Sequence, residues 1–231
     1  MYARWGYTIT VSTPAEFNSA LSTIRSSTDN YFVVTITADF SLSPQNLTLE
    51  AYRNKTITLK GNVASRTINL SGQGSLFTIG TDVKLILENI VLQGRSDNNT
   101  SLVNINSGGT LEMNEGAKII GNTGVYTPGG VAVWSGGRFI MYGGEISGNT
   151  AHANNEGAVH VVKLGGGGVG VEGTFIMHGG VISGNTALAS GGRNPVSYGG
   201  GVYVWSGGTF TMGGGVIYGN TAGNGADLYR G

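Results

Sequence analysis

The sequence predicts an all-β fold, a right-handed parallel β-helix (solenoid) of roughly seven three-strand coils with a short N-terminal capping helix. Three observations lead to this prediction. The segment 129–151, GGVAVWSGGRFIMYGGEISGNTA, returns as 200–222, GGVYVWSGGTFTMGGGVIYGNTA. Each segment contains three short apolar runs separated by Gly or Asn, and weaker versions extend back to about residue 75. Self-similarity of this kind is typical of stacked repeat architectures.

The three runs of one unit each have the length of a short strand. They are Val131–Val133, Arg138–Met141 and Glu145–Ser147, and in each of them large apolar residues alternate with other residues. A chain that turns a corner at every Gly comes back above itself, so equivalent strands of successive units pair in parallel about 4.8 Å apart. Parallel crossovers are nearly always right-handed, which gives the predicted hand.

The spacing between the runs predicts where the insertions lie. In four units, six positions separate the last apolar residue of the first run from the first apolar residue of the second. In the unit that contains GAVHVV the separation is fourteen, from Val161 to Phe175. We therefore expect eight extra residues within or near 163–170, in the corner after this first strand. A second expansion, 188–198, is expected in the corner before the next first strand.

The start of the chain predicts a strand followed by the capping helix. Apolar residues alternate with Thr over 7–11, and Thr13 is then a suitable N-cap, with Pro at the first helical position and Glu16 three residues after the cap. We expect this helix to cover the apolar end of the solenoid, since terminal units of a stacked array are otherwise exposed. The predicted organisation is a strand and helix cap at 1–30 and one elongated β-helix domain at 31–231. The apolar face of the helix is formed by Phe17, Leu21 and Ile24.

The composition limits the class of protein and its partners. Of 231 residues, 42 are Gly and none is Cys, so a disulfide scaffold and thiolate metal sites are excluded. The 13 basic residues balance the 13 acidic residues, so we predict no nucleic-acid partner. No apolar run has transmembrane length, which predicts no membrane insertion by this segment. The first residues do not form a signal peptide, and no cofactor is predicted.

Four asparagines recur directly after the third run, in I-x-G-N or I-G-N. We interpret them as a structural asparagine ladder. Each short amide would tolerate a left-handed corner and would form a hydrogen bond to the same residue one coil away. No metal ligation is predicted for them. The four residues are Asn122, Asn149, Asn185 and Asn220.

The Gly-rich units resemble the repeats of bacterial right-handed parallel β-helix surface proteins, the pectate-lyase-like superfamily in its adhesin and polymorphic-outer-membrane-protein branch. The two long units quoted above carry this resemblance, together with the start Gly157-Ala158-Val159 in a third unit. It covers about residues 75–231 well and 31–74 loosely. The resemblance implies an exported protein located outside the cell or at the cell surface. Its repeats specify architecture much more than activity.

An enzyme that cleaves a polysaccharide is the less favoured interpretation, and no catalytic residue is predicted. Hydrolysis needs two neighbouring carboxyl groups, and a calcium-assisted lyase needs a cluster of oxygen ligands. The acidic residues are scattered singly, without Asp-Asp or Asp-x-Asp. The outward positions of the first sheet are predicted to carry no carboxylate: Thr78, Asn104, Ala132, His160 and Tyr203.

A carbohydrate-binding module is the alternative function. Aromatic residues after the first run, between the two expanded corners, would form a shallow groove suited to sugar faces, with basic residues in the flanking loops. In the competing structural interpretation, both Trp residues only cover the corner against the neighbouring loop. The candidates for ligand contact are Trp134, His160, Lys163, Arg193, Tyr203 and Trp205.

The favoured function is a non-catalytic structural or adhesin-like module, extracellular or at the cell surface. Residues 226–231 (ADLYRG) suggest a further coil without a helical or Pro-rich cover, and open strand edges are normally blocked. Either the sequence belongs to a longer repeat array, or its open end stacks on another copy, head to tail, into filaments. The expected partners are therefore other copies of the chain, and glycans or a host or cell surface.

Overall fold

The chain folds into a right-handed parallel β-helix, as the sequence predicts. The computed structural model describes residues 7–62, 65–154, 164–191 and 195–231. Three long sheets, each made of parallel strands, run along the molecule. We number them in the order in which the chain visits them within one unit, as sheet 1, sheet 2 and sheet 3.

Sheet 1 contains the strands Gln45–Leu47, Phe77–Ile79, Val103–Ile105, Val131–Val133, Val169–Val171, Val202–Val204 and Leu228–Arg230. Sheet 2 contains Tyr7–Val11, Tyr31–Ile36, Thr56–Gly61, Lys84–Glu88, Thr110–Met113, Arg138–Met141, Thr174–Met177 and Thr209–Met212. Sheet 3 contains Phe40–Leu42, Arg66–Leu70, Ile90–Gln93, Lys118–Ile120, Glu145–Ser147, Val181–Ser183 and Val216–Tyr218. Seven strands in two of the sheets and eight in the other agree with the predicted number of coils.

The core is built from columns of like side chains, because the register keeps equivalent residues of neighbouring coils in contact. Phe139 pairs with Phe175, and Phe175 pairs with Phe210. Their rings stack with centroids 4.5 and 4.8 Å apart. All three rings are at most 5% exposed. Offset stacking of this kind adds to the free energy gained by burying apolar surface.

The N-terminal strand and helix form as predicted. The helix Pro14–Ser26 begins after Thr13, whose Oγ1 accepts a hydrogen bond from the N–H of Glu16 at 3.2 Å. The ring of Phe17 packs against the rings of Phe40 and Phe77, with centroids 6.0 and 6.2 Å apart. The helix therefore packs on the first strand of sheet 3 and on the second strand of sheet 1. Its buried residues are Phe17, Ala20, Leu21 and Ile24. A 3₁₀ helix, Glu50–Tyr52, lies in an early corner.

One strand assignment from the sequence is wrong. In the unit with GAVHVV, the strand of sheet 1 is Val169–Val171, which pairs with Val131–Val133 on one side and with Val202–Val204 on the other. The predicted strand residues Val159 and Val161 lie outside the described residues. The corner that follows is only Glu172-Gly173, so the extra residues of this unit precede the strand of sheet 1.

The added residues form a small extension between sheet 3 and sheet 1. Three parallel strands follow the corner that contains the ladder asparagines, which we call the asparagine corner. They are Thr123–Val125, Thr150–Asn154 and Thr186–Ser190. Two more strands, Leu164–Gly165 and Ser197–Tyr198, pair with each other on the way back to sheet 1. The extension has a core of its own, formed by Ala151, Ala153, Leu164 and Ala187.

Glycine is needed at the corners for two different reasons. At the asparagine corner the left-handed residue is the Gly before each ladder Asn, not the Asn itself as the sequence suggested. Gly184, for example, has φ +62° and open space around its Cα. At the entry to sheet 1 the reason is close approach. A Cβ on Gly167 would lie 2.4 Å from the carbonyl oxygen of Gly200 in the next coil.

Candidate functional site

The predicted asparagine ladder is present, and it is buried. The backbone N–H and the Nδ2 of Asn149 both donate to Oδ1 of Asn185, each at 3.0 Å. In the same way, Asn185 donates to Oδ1 of Asn220 at 2.9 and 3.0 Å. Each Nδ2 also reaches a carbonyl one coil back, such as that of Ile146 from Asn185 at 2.9 Å. The four predicted asparagines are at most 7% exposed. Their side-chain amide groups form hydrogen bonds to other buried groups of the protein, which supports a structural role.

The ladder has two further members that the sequence pattern did not reveal. The Nδ2 of Asn98 donates to Oδ1 of Asn122 at 2.9 Å. At the other end, Oδ1 of Asp227 accepts from the N–H of Asn220 at 3.1 Å and from its Nδ2 at 2.9 Å. Asp227 occupies the position before a sheet 1 strand, where the two preceding coils have glycine. Neither residue follows the I-x-G-N pattern, so a search by motif misses both.

Four aromatic residues cluster at the last described strands of sheet 1. The rings of Tyr198, Tyr203 and Tyr229 form a triangle, in which the centroid of Tyr203 lies 5.9 and 5.8 Å from those of Tyr198 and Tyr229, and the latter two are 4.4 Å apart. Trp205 meets Tyr203 edge to face at 4.5 Å. Tyr203 is 2% exposed. Its burial raises the pKa of its hydroxyl, and the neighbouring Tyr229 and Tyr198 raise that pKa further.

The open aromatic groove expected from the sequence is therefore not formed by these rings. Tyr203 is covered, and Trp205 lies against Gly170, where a Cβ would come within 2.6 Å of the indole. Trp134 is partly buried, and its Nε1 donates to Oδ1 of Asn104 at 3.2 Å. These contacts favour the structural interpretation, in which each Trp covers a corner. The remaining candidates, His160, Lys163 and Arg193, lie outside the described residues.

The outward row of sheet 1 differs from the expected row at one position. Gly170 pairs with Ala132 and Tyr203, where the sequence had suggested His160. The rest of the row, Thr78 and Asn104, is as expected. No carboxylate is present in this row between residues 78 and 203.

Three glutamates on the outer faces are paired with lysines of neighbouring coils. The contacts are Lys60 with Glu88 at 2.6 Å, Lys84 with Glu112 at 2.5 Å and Lys118 with Glu145 at 2.8 Å. Hydrogen bonds from Lys118 and then from Ser147 lower the pKa of the Glu145 carboxyl. Across the described ranges, no three His, Cys, Asp or Glu residues come together in a way that would hold a metal ion.

A polar groove lies elsewhere, on the outer face of sheet 2 near the helix end of the molecule. It has a volume of about 480 Å³ and follows the corner before sheet 2 along four successive strands of that sheet. Asn54 and Asp82 hold equivalent positions of this corner, each two residues before a sheet 2 strand. The residues that line the groove are Asn30, Tyr31, Asn54, Lys55, Thr56, Asp82, Val83, Lys84, Gly108 and Thr110.

The three stacked parallel sheets define the class of this chain, a parallel β-helix protein. Comparison with models of known protein families, with curated proteins and with solved structures gives no match. Within the part of the chain described above, no helix is long and apolar enough to pass through a bilayer.

Proposed function

We propose that this chain is a non-catalytic structural module of the cell surface or the extracellular space, with adhesin-like architecture. The observation that carries the proposal is the uninterrupted stack itself. Buried amides and stacked rings continue in register from coil to coil, with about 4.8 Å between neighbouring strands. In such an array each coil contacts only the neighbouring coils, and the array presents extended surfaces on its outer faces.

The proposal includes stacking of copies end to end. The coil made of Thr209–Met212, Val216–Tyr218 and Leu228–Arg230 exposes large apolar side chains, with Met212, Val216 and Tyr218 45%, 50% and 57% exposed. At the other end of sheet 2, the strand Tyr7–Val11 is the edge strand of that sheet. Unpaired strand edges bind further strands. Contacts between two different ends are heterologous, so they extend into filaments unless they close into rings.

Light scattering and electron microscopy at rising protein concentration test this assembly. Wild-type protein should form concentration-dependent oligomers or filaments, whereas the double variant Val216→Lys and Tyr218→Lys should stay monomeric. Leu188→Lys is the matched control, because Leu188 is 50% exposed on the extension, away from the end coil. A wild-type protein that stays monomeric at the highest concentration, or assembly that survives both charges, would refute end-to-end stacking.

Localisation is tested separately in cells that produce the protein. Antibodies should label the protein on intact cells or in the medium. Labelling that requires permeabilised cells would refute the surface assignment, whatever the result of the assembly experiment.

A further inference from the structure

The outer face of sheet 2 has a groove of the size used for small ligands. The groove volume of about 480 Å³ lies within the range of roughly 300–1,000 Å³ that is usual for small-molecule sites. A second depression of about 470 Å³ shares Tyr31, Thr56 and Lys84 with it. The two depressions therefore form one continuous surface, which is open along the solenoid axis and suited to an extended ligand.

The groove offers polar side chains that the fold does not use. Within the described residues, the side chains of Asn30, Asn54, Thr56, Asp82 and Thr110 line the groove and form no hydrogen bond to the protein. The ladder asparagines, by contrast, are fully engaged. The groove thus provides amide, hydroxyl and carboxylate groups that are free to donate to or accept from a ligand.

Both lysines that line the groove are engaged by the protein, whereas the carboxylate of Asp82 has no ion pair among the described residues. Nζ of Lys55 donates to the carbonyl oxygens of Ser27 and Asp29 at 2.7 and 2.5 Å, and Lys55 is 6% exposed. Nζ of Lys84 is paired with Glu112 at 2.5 Å. Among the described residues that line the groove, neither lysine is free to hold a phosphate or a sulfate group. A polyanion is therefore a poor fit, and a neutral ligand is favoured.

The groove also has an apolar wall. Tyr31 is 38% exposed and lines both depressions, beside the partly buried side chains of Val33 and Ile86. A pyranose ring combines an apolar face, which packs on an aromatic ring, with hydroxyl groups at its edge. From this combination we propose that the groove binds a neutral oligosaccharide. One sugar ring packs against Tyr31, and the hydroxyl groups of successive sugars along the groove bond to Thr56, Asn54, Asp82 and Thr110, since Tyr31 and Thr110 lie three strand pairings apart.

Oligosaccharide binding at this groove is independent of the structural function proposed above, because it uses a different surface and is measured by a different experiment. It also differs from the carbohydrate site expected from the sequence, which lay on sheet 1 around the two Trp residues. Binding here requires neither assembly of the chain nor an exposed Trp.

In the corner before sheet 2, two polar residues of the groove can be replaced without straining the backbone. Asn54 and Asp82 have left-handed backbones with φ 61° and 60°. The equivalent positions of the next two coils are Gly108 and Gly136, with φ 75° and 76°. Asn54→Gly and Asp82→Gly therefore restore the residue that this corner uses elsewhere, and glycine adopts this conformation at little cost. Thr209→Ala is the control, since Thr209 lies in the same outward row as Thr56 and Thr110 at the far end of sheet 2.

The experiment is calorimetric titration of the full chain with two neutral probes, cellohexaose and chitohexaose, and one acidic probe, a heparin hexasaccharide. At least one neutral probe should bind the wild type more tightly than the heparin hexasaccharide does. The Asn54→Gly and Asp82→Gly double variant should bind about tenfold more weakly, as expected for the loss of one or two hydrogen bonds. Thr209→Ala should bind as the wild type does.

Three results would overturn the proposal. They are no binding of either neutral probe, equal affinity of the double variant and the wild type, and a preference for the heparin hexasaccharide. Amide chemical-shift mapping on the wild type provides a second test that needs no variant. The shifts caused by the neutral probe should centre on Thr56 and Thr110, and shifts centred on Trp134 or Trp205 would place the sugar elsewhere and refute this groove.

Discussion

Replacing Asn185 by leucine tests whether the asparagine ladder stabilises the fold. Asn185 is fully buried and is the acceptor for two hydrogen bonds from Asn149. It also donates to the carbonyl oxygens of Ile146 and Ser183 at 2.9 and 3.1 Å. Leucine has a similar size and none of these groups.

The magnitude follows from the groups that would lose their partners. The Nδ2 of Asn149 keeps its bonds to the carbonyl oxygens of Ile119 and Ser147, whereas the N–H of Asn149 has no acceptor left. One orphaned buried donor costs about 1–3 kcal/mol, and two carbonyl oxygens lose a donor as well. We therefore expect Asn185→Leu to lower the free energy of unfolding by about 3 kcal/mol.

Equilibrium unfolding in urea, followed by circular dichroism, measures this loss, and a thermal scan should show a melting temperature lower by roughly 6–12 °C. Asn18→Leu is the control, because Asn18 lies on the exposed face of the helix, where substitutions usually change stability by less than about 0.5 kcal/mol. If Asn185→Leu were as mild as Asn18→Leu, the buried amides would not stabilise the stack, and the reasoning from unsatisfied groups would be wrong.

The remaining predictions concern the corners, the outer face and the end of the ladder. Gly184→Ala should cost about 1 kcal/mol, since only the left-handed backbone resists it, whereas Gly167→Ala should cost about 3 kcal/mol or more because its Cβ would collide with the next coil; equal melting temperatures would contradict this. Because the pKa of Glu145 is lowered in the folded protein, its carboxylate stabilises the fold at pH values above the ordinary pKa of 4.5. This stabilisation is lost as the pH falls through the lowered pKa, so Glu145→Gln should reduce the difference in unfolding free energy between about pH 6 and about pH 3. An unchanged difference would show that the contact with Lys118 is inert. Asp227→Asn should preserve amide hydrogen-exchange protection at Leu228–Arg230, and Asp227→Leu should abolish it, because only the former keeps the acceptor for Asn220; protection retained in Asp227→Leu would exclude this role.

The sequence by itself determined the coil and its internal order. Short runs such as Val131–Val133 and Arg138–Met141 recur with the same inward residues, and parallel stacking in register follows because like side chains fill like spaces in each coil. The capping helix was equally visible, since Thr13, Pro14 and Glu16 act through contacts within a few residues. The ladder asparagines could be found because each has the same local sequence.

Only the tertiary structure decided how the irregular unit is threaded and which surfaces remain open. Both GAVHVV and the later VGV have the apolar pattern of a sheet 1 strand. The stack uses Val169–Val171, because the glycines before it allow the close backbone approach seen at Gly167, and Gly170 leaves room for the indole of Trp205. This choice depends on atoms one coil away, about 30 to 40 residues along the chain, which no local pattern records.

Contacts between coils also decide the surroundings of Tyr203, of Asp227 and of the polar groove. Tyr203 seemed to be an exposed groove residue from its strand position, but the extension covers it with Tyr198 and Gly165. Asp227 carries no ladder motif and joins the ladder because its coil brings it beside Asn220. The polar groove gathers Asn30, Asn54 and Asp82 from three successive coils. The sequence determines which side chains point inward within one coil, whereas contacts between coils and with the inserted segments decide which outward side chains stay exposed.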